Sequence, residues 1–210
     1  MLKKFDTTLY FITDSTGFSE EEFLKRTESA LKGGVTLLQL REKEKSTREY
    51  IALAEKVHKL TQKYEIPLII DDRIDVAMAA NAEGVHLGQS DMPVETARKI
   101  VGKDMIIGAT AKTVLQAKEA ETAGADYLGV GAIYPTTTKV KTVLTSTQTL
   151  DEICKSVDIP VNAIGGLNKC NIDILKGINI AGICVVSAIM IADNPQQAAQ
   201  ELKNAWNLIN

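Results

Sequence analysis

The chain has little cysteine, no surplus of positive charge and no long apolar run, and each shortage closes off a class of protein. Its three cysteines, Cys154, Cys170 and Cys184, are odd in number and widely spaced among 210 residues. They suit neither a disulfide framework nor a C-x-x-C metal site and are expected to be packing thiols. A net charge of −3 exerts no general pull on nucleic acid or anionic lipid, so any anion must be gripped by locally gathered Lys and Arg. No segment reaches the ~18 apolar residues of a membrane span, and the apolar run within "MLKKFDTTLYFITDSTGF" is too short for a secretory signal. The expectation is a cytoplasmic protein with no nucleic-acid or membrane partner. The stretch after the first apolar run, "DSTGF", also lacks the G-x-G-x-x-G turn that binds dinucleotides in open doubly wound sheets.

What the chain does have is a repeated alternation. Short apolar runs rich in β-branched residues recur from end to end: "LYFIT", "VTLLQL", "PLIID", "GVHLG", "MIIGAT", "YLGVGAIY", "PVNAIGG" and "GICVVSAI". Continuous apolarity of this kind suits parallel strands covered on both faces. Between them lie helical patterns, clearest in "TREYIALAEKVHKLTQKY", where Tyr50, Leu53, Ala54, Val57, Leu60 and Tyr64 fall at helical spacing. Others run from Glu20 to Lys32, Val114 to Ala123 and Pro195 to Leu208, with Ser19 and Ser46 as candidate caps. About eight strands alternating with helices, and no linker-like break, predict one α/β domain over residues 1–210, a (β/α)8 TIM barrel.

In that fold the active site lies at the C-terminal ends of the strands, so the polar residues there are the candidates. Strand two ends in "QLREK", which sets Gln39, Arg41 and Lys43 on one side of an extended chain. That face is either a grip for a phosphorylated ligand or a charged loop, and composition alone leaves both open. Strand three ends in Asp71, Asp72 and Arg73, and strand four in Gln89 and Asp91. Asp72 and Asp91, at the ends of neighbouring strands, could hold Mg²⁺ together with substrate phosphates and water. His86, inside an apolar strand, is expected to be a core residue, because Mg²⁺ prefers oxygen ligands. His58, on a helix, is expected at the surface. Strand five ends with Thr110 and Lys112. After strand six, "YPTTTKVKT" places Thr136, Thr137 and Thr138 before Lys139, either a phosphate-binding loop or a Thr-rich surface turn. Gly165, Gly166 and Ser187, after strands seven and eight, sit where this fold commonly binds phosphate.

Together "LYFITD", "QLREK", "DDRIDVAMAANAEGVHLGQSD", "GADYLGVGAIYPTTTK", "AIGGLN" and "VVSAI" resemble, in order and spacing, the thiamine-phosphate synthases, from about Leu9 to Ile189. The resemblance implies a Mg²⁺-dependent transferase that joins 4-amino-2-methyl-5-(diphosphooxymethyl)pyrimidine to a thiazole phosphate and releases pyrophosphate. It implies that Gln39, Leu40, Arg41, Glu42 and Lys43 hold the pyrimidine diphosphate, with Asp71 beside them, and that Asp72 and Asp91 bind the metal. Thr110 and Lys139 would contact the pyrophosphate, and Thr136, Thr137, Thr138, Gly166, Val186 and Ser187 would receive the thiazole phosphate. Lys43, Lys139 and Thr110 would be the catalytic residues. Small molecules would be its partners, with a homo-oligomer possible.

Three positions depart from the family's pattern. Asp71 stands where Asn is usual, Thr110 where Ser is usual, and Lys112 where His is often seen. Thr110 keeps its hydroxyl. Asp71 replaces an amide donor with an anion, and Lys112 adds a cation that could offset it. Two other readings compete: a thiazole tautomerase of the same superfamily, and a non-catalytic barrel that binds thiamine precursors. Retention of both metal carboxylates, "QLREK" and T-x-T-K together argues for the synthase, since an isomerase has no pyrophosphate to bind.

Overall fold

In the computed structural model, which describes residues 5–136 and 143–209, eight short strands pair in chain order. They are Leu9–Ile12 (β1), Leu37–Leu40 (β2), Leu68–Asp71 (β3), Gly84–Leu87 (β4), Ile106–Ala111 (β5), Tyr127–Gly131 (β6), Val161–Ile164 (β7) and Gly182–Val185 (β8). Every pairing is parallel, and β8 returns to β1, closing the barrel that the alternation predicted.

Helices cover the outside: Glu20–Lys32 (α1), Thr47–Lys63 (α2), Ile74–Ala79 (α3), Val94–Val101 (α4), Val114–Thr122 (α5), Thr147–Cys154 (α6), Ser187–Met190 (α7) and Pro195–Ile209 (α8). After β7 the crossover is only a short 3-10 turn, Ile172–Leu175. Both predicted caps form. The Ser19 hydroxyl accepts the Glu22 N–H, and Ser46 and Glu49 make a reciprocal capping box, satisfying N–H groups that the first helical turn cannot. Among the described residues no helix is long and apolar enough to cross a membrane.

Strand side chains alternate, so every strand feeds two cores. Leu9, Phe11, Leu38, Leu40, Leu68 and Ile70 belong to the large core between barrel and helices. The other parity, including Tyr10, Ile12, Leu37, Ile69, Ile106, Tyr127 and Cys184, fills the barrel lumen. The lumen is not wholly apolar: Asn162, buried on the inward face of β7, donates to the Thr7 carbonyl at 2.7 Å, and the Tyr10 and Tyr127 hydroxyls meet at 2.7 Å. Charged inward positions appear only toward the C-terminal ends.

Two expectations about single residues are corrected. His58 is buried rather than at the surface: it lies four residues after Ala54 on α2's apolar stripe, and both ring nitrogens are occupied, Nδ1 by the Ala80 carbonyl at 3.0 Å and Nε2 by Glu83 at 3.1 Å. Cys170 is exposed rather than packed, in contrast to buried Cys184 and half-buried Cys154.

Candidate active site

Above the lumen core the barrel opens into a cavity of about 180 Å³ at the C-terminal ends of the strands. One water needs only ~10–15 Å³ of such space, so a small molecule fits. The inward parity supplies its wall: Ile12 from β1, Gln39 from β2, Asp71 from β3, His86 from β4, Thr110 from β5 and Ile164 from β7. Arg41 and Lys112, just beyond their strands, and Gly165, Gly166, Val186 and Ser187 complete the mouth.

The rim between β2, β3 and β4 carries concentrated charge. Lys43 lies between two carboxylates, 2.7 Å from Asp71 and in a short ion pair with Asp72. Arg41 approaches Asp71 at 3.8 Å. Asp71 is buried, and Asp72 takes a left-handed backbone conformation, φ 59°, a region that Asp enters more readily than most residues. Adjacent strand residues ordinarily point to opposite faces. The turn at Asp72 lets two consecutive carboxylates share one lysine. Asp72 also shares a hydrogen bond with Asp91, while an Asp91 oxygen accepts the Gly88 N–H at 2.7 Å.

These contacts split the three acids. Burial and the neighbouring Asp72 charge push Asp71 up to about 6, with Lys43 and Arg41 opposing the rise. Burial would raise Asp72, but hydrogen bonds from Lys43 and Asp91 outweigh it and hold it below the usual carboxylate range. Partial burial and the bond to Asp72 raise Asp91. Burial opposes the charge on Lys43, yet the attraction of Asp71 and the bonds to both acids leave its pKa raised.

Asp72 and Asp91 are therefore two carboxyl groups in contact, an arrangement that needs either a shared proton or a cation. That donor chemistry fits Mg²⁺. Among the described residues no cluster of three or more Asp, Glu, His or Cys could hold a metal ion, so phosphate and water would have to supply the remaining ligands.

Not every predicted residue reaches the cavity. The Leu40 side chain packs in the layer between barrel and helices, and its carbonyl accepts the Tyr50 hydroxyl at 2.7 Å. Glu42 turns toward the β1–α1 loop and accepts the Ser15 hydroxyl at 2.8 Å. Thr137, Thr138 and Lys139 lie outside the described residues, whereas Thr136 lines the cavity. The glycines after β7 have a local reason to be glycine: φ is 104° at Gly165 and 66° at Gly166, and a Cβ would come within 2.4 Å of Ala132 or 2.7 Å of Tyr134.

Sequence reasoning missed Tyr10 and Cys184 as cavity residues and saw His86 only as core. The ring sits inside the barrel, but its Nε2 lies 3.0 Å from the Thr110 hydroxyl and its Nδ1 3.2 Å from that of Tyr127. Inward parity counted along β1, β4 and β8 was the signal that could have found them.

Comparison with known proteins agrees with this geometry. The thiamine monophosphate synthase family matches residues 9–189. A thiamine-phosphate synthase of Enterococcus faecalis is 53% identical over 194 residues, 92% of each chain. One of Methanobrevibacter smithii is 50% identical over 209 residues, covering 100% of both. Among solved structures, the thiamine phosphate pyrophosphorylase of Pyrococcus furiosus is 39% identical, with a TM-score of 0.87 over 96% of each chain. A 3-hexulose-6-phosphate synthase shares the fold alone, at 16% identity and a TM-score of 0.69.

Proposed function

This chain belongs to the thiamine monophosphate synthase family, and from that membership we propose how its own residues carry the reaction. Its activity is thiamine-phosphate synthesis, a transferase reaction on small molecules. The pyrimidine carries a diphosphate on a benzylic-type carbon beside an electron-rich amino ring. That C–O bond breaks before attack, its electron pair leaving on pyrophosphate, and the thiazole nitrogen then forms the new C–N bond. Catalysis rests on holding the departing negative charge and keeping two rings in line.

Arg41 and Lys43 bind the diphosphate oxygens, with Lys112 and the Thr110 hydroxyl on the opposite side of the mouth. Asp72 and Asp91 hold Mg²⁺, which when bound neutralises charge on the pyrophosphate. Asp71 keeps Lys43 and Arg41 gathered at the rim, so its departure from Asn adds an anchor for two cations. Lys139 is assigned to the pyrophosphate by resemblance, as are Thr137 and Thr138 to the thiazole phosphate. Thr136, Gly166, Val186 and Ser187 form the mouth on the side where this fold commonly receives phosphate. No protein nucleophile or strong base is required.

The observation that supports this reading most is the cluster of Lys43, Asp71, Asp72 and Asp91 beside Arg41, which meets the cavity through Arg41 and Asp71, while Lys43, Asp72 and Asp91 stand outside its lining. The test mixes purified protein with the pyrimidine diphosphate and thiazole phosphate, with and without Mg²⁺, and follows thiamine phosphate after oxidation to its fluorescent product. Product that depends on Mg²⁺ is expected. Equal product in EDTA would remove the metal assignment.

A further inference from the structure

A chain of five polar side chains crosses the lumen, and all but Tyr127 line the cavity. The Gln39 Nε2 donates to the Tyr10 hydroxyl at 2.6 Å, the Tyr10 and Tyr127 hydroxyls are 2.7 Å apart, the Tyr127 hydroxyl is 3.2 Å from His86 Nδ1, and His86 Nε2 is 3.0 Å from the Thr110 hydroxyl. Tyr10 and Tyr127 are fully buried, edge to face at 5.7 Å. The barrel makes room for them: a Cβ at Gly108 would lie 2.1 Å from the Tyr127 ring and 2.5 Å from His86, and one at Gly129 would lie 3.3 Å from His86.

We propose that this chain runs in one direction, from Gln39 to Thr110, and that Tyr10, Tyr127 and His86 are positioning residues that fix what the two ends offer the substrate. An amide NH₂ can only donate, so Tyr10 accepts from Gln39 and has its own proton left to give. That proton goes to Tyr127, which passes its own to His86 Nδ1. An imidazole that accepts at Nδ1 carries its proton on Nε2, and donates it to the Thr110 hydroxyl. Thr110 must then direct its proton elsewhere, and it lines the cavity. One end of the chain thus presents the Gln39 carbonyl, an acceptor, and the other the Thr110 hydroxyl as a donor.

The pair of ends matches the two features of the substrate in the preceding section, on which this assignment of partners rests: a ring amino group that donates and a diphosphate that accepts. A 4-oxo ring in place of the 4-amino ring would set carbonyl against carbonyl at Gln39. The two tyrosines then act as a specificity device without touching the reacting atoms. The opposite polarity, with Gln39 accepting from Tyr10, would place the His86 proton on Nδ1 and leave Thr110 an acceptor toward the diphosphate.

Only two histidines are present, so long-range ¹H–¹⁵N spectra, with His58→Gln to assign the other ring, read the His86 tautomer directly in the substrate-free protein. A neutral ring with its proton on Nε2 is expected. In Tyr127→Phe, with Tyr10→Phe as a second variant, this tautomer gives way to a mixture. kcat/KM for the aminopyrimidine diphosphate falls by about tenfold, and the preference over the 4-oxo analogue shrinks by a similar factor. The Mg²⁺ concentration dependence stays as in wild type. A proton on Nδ1, or on both nitrogens, in the wild-type protein would overturn the direction. Tyrosine variants that lose melting temperature but keep tautomer and preference would overturn the positioning role. Because the spectrum needs no substrate, failure here is separable from failure of the diphosphate assignment, which would show as missing wild-type product.

Discussion

Asp71 and Asp72 are consecutive in the chain, yet their environments drive them in opposite directions. Asp71 sits in the lumen wall with its carboxyl pushed up to about 6 by burial and by Asp72. A carboxyl raised on folding contributes most to stability below about pH 4, and that contribution disappears as pH rises through about 6. Asp71→Asn removes the charge while keeping the shape. In EDTA, thermal melts of wild type and Asp71→Asn should coincide near pH 4 and separate in the variant's favour by pH 7 to 8, by on the order of 1–2 kcal/mol. A wild type more stable than the variant at pH 8 would mean that the Lys43 and Arg41 pairs outweigh burial. Asp72 and Asp91 carry the metal assignment at the same scale. Asp72→Ala and Asp91→Ala should each cut Mg²⁺-dependent turnover by about 100-fold or more. Mg²⁺ should also raise the melting temperature of wild type and of neither variant. Melting curves that respond to Mg²⁺ in all three proteins would move the metal elsewhere.

At the scale of the element, α2 shows how local chemistry delivers side chains to the site. Its apolar stripe packs Tyr50, Leu53, Ala54 and Val57 onto the barrel, and its start is held by Ser46, whose hydroxyl accepts the Glu49 N–H while Glu49 accepts the Ser46 N–H at 3.0 Å. Ser46→Ala opens that box. The expected cost is about 1 kcal/mol, a fall of roughly 2–4 °C in melting temperature for a chain of this length, measured by calorimetry at pH 7. The strands and longer helices were legible because their signals are local: β-branched runs for β1 to β8, 3.6-residue periodicity for α1, α2 and α8. The end of α5 came one residue early, at Thr122 rather than Ala123, and α8 ran one residue further, to Ile209. The 3-10 turn after β7 carried no periodic signal to read.

At the scale of the molecule, the last helix completes the covering of the barrel where β8 meets β1. α8 packs along α1 and against β1, and the two helices approach so closely that a Cβ at Gly33 would come within 2.3 Å of the Gln196 carbonyl oxygen. Trp206, 3% exposed, is the largest side chain α8 buries. Trp206→Ala should destabilise the whole barrel by roughly 3–5 kcal/mol, read as a single cooperative shift in urea unfolding. Preserved cooperativity is the informative part, because a separate early transition would mean that α8 unfolds on its own.

The sequence by itself determined the alternation of strands and helices, hence the barrel, the end of the barrel that carries the site, and the residues at the strand ends: Arg41, Lys43, Asp72, Thr110 and Asp91. Those follow from periodicity and from the cost of burying charge, both of which act over a few residues. Only the tertiary structure decided which of them meet. The left-handed turn at Asp72 brings its carboxylate to Lys43 and Asp91, the Leu40 side chain is turned away to the helices, and His58 is buried against Ala80 and Glu83. It also joined Gln39, Tyr10, Tyr127, His86 and Thr110, from five strands, into one hydrogen-bonded chain. Closing a barrel brings inward positions far apart in sequence into contact, Tyr10 and Tyr127 across 117 residues for one, and a pairwise contact between distant residues leaves no periodic trace in either segment.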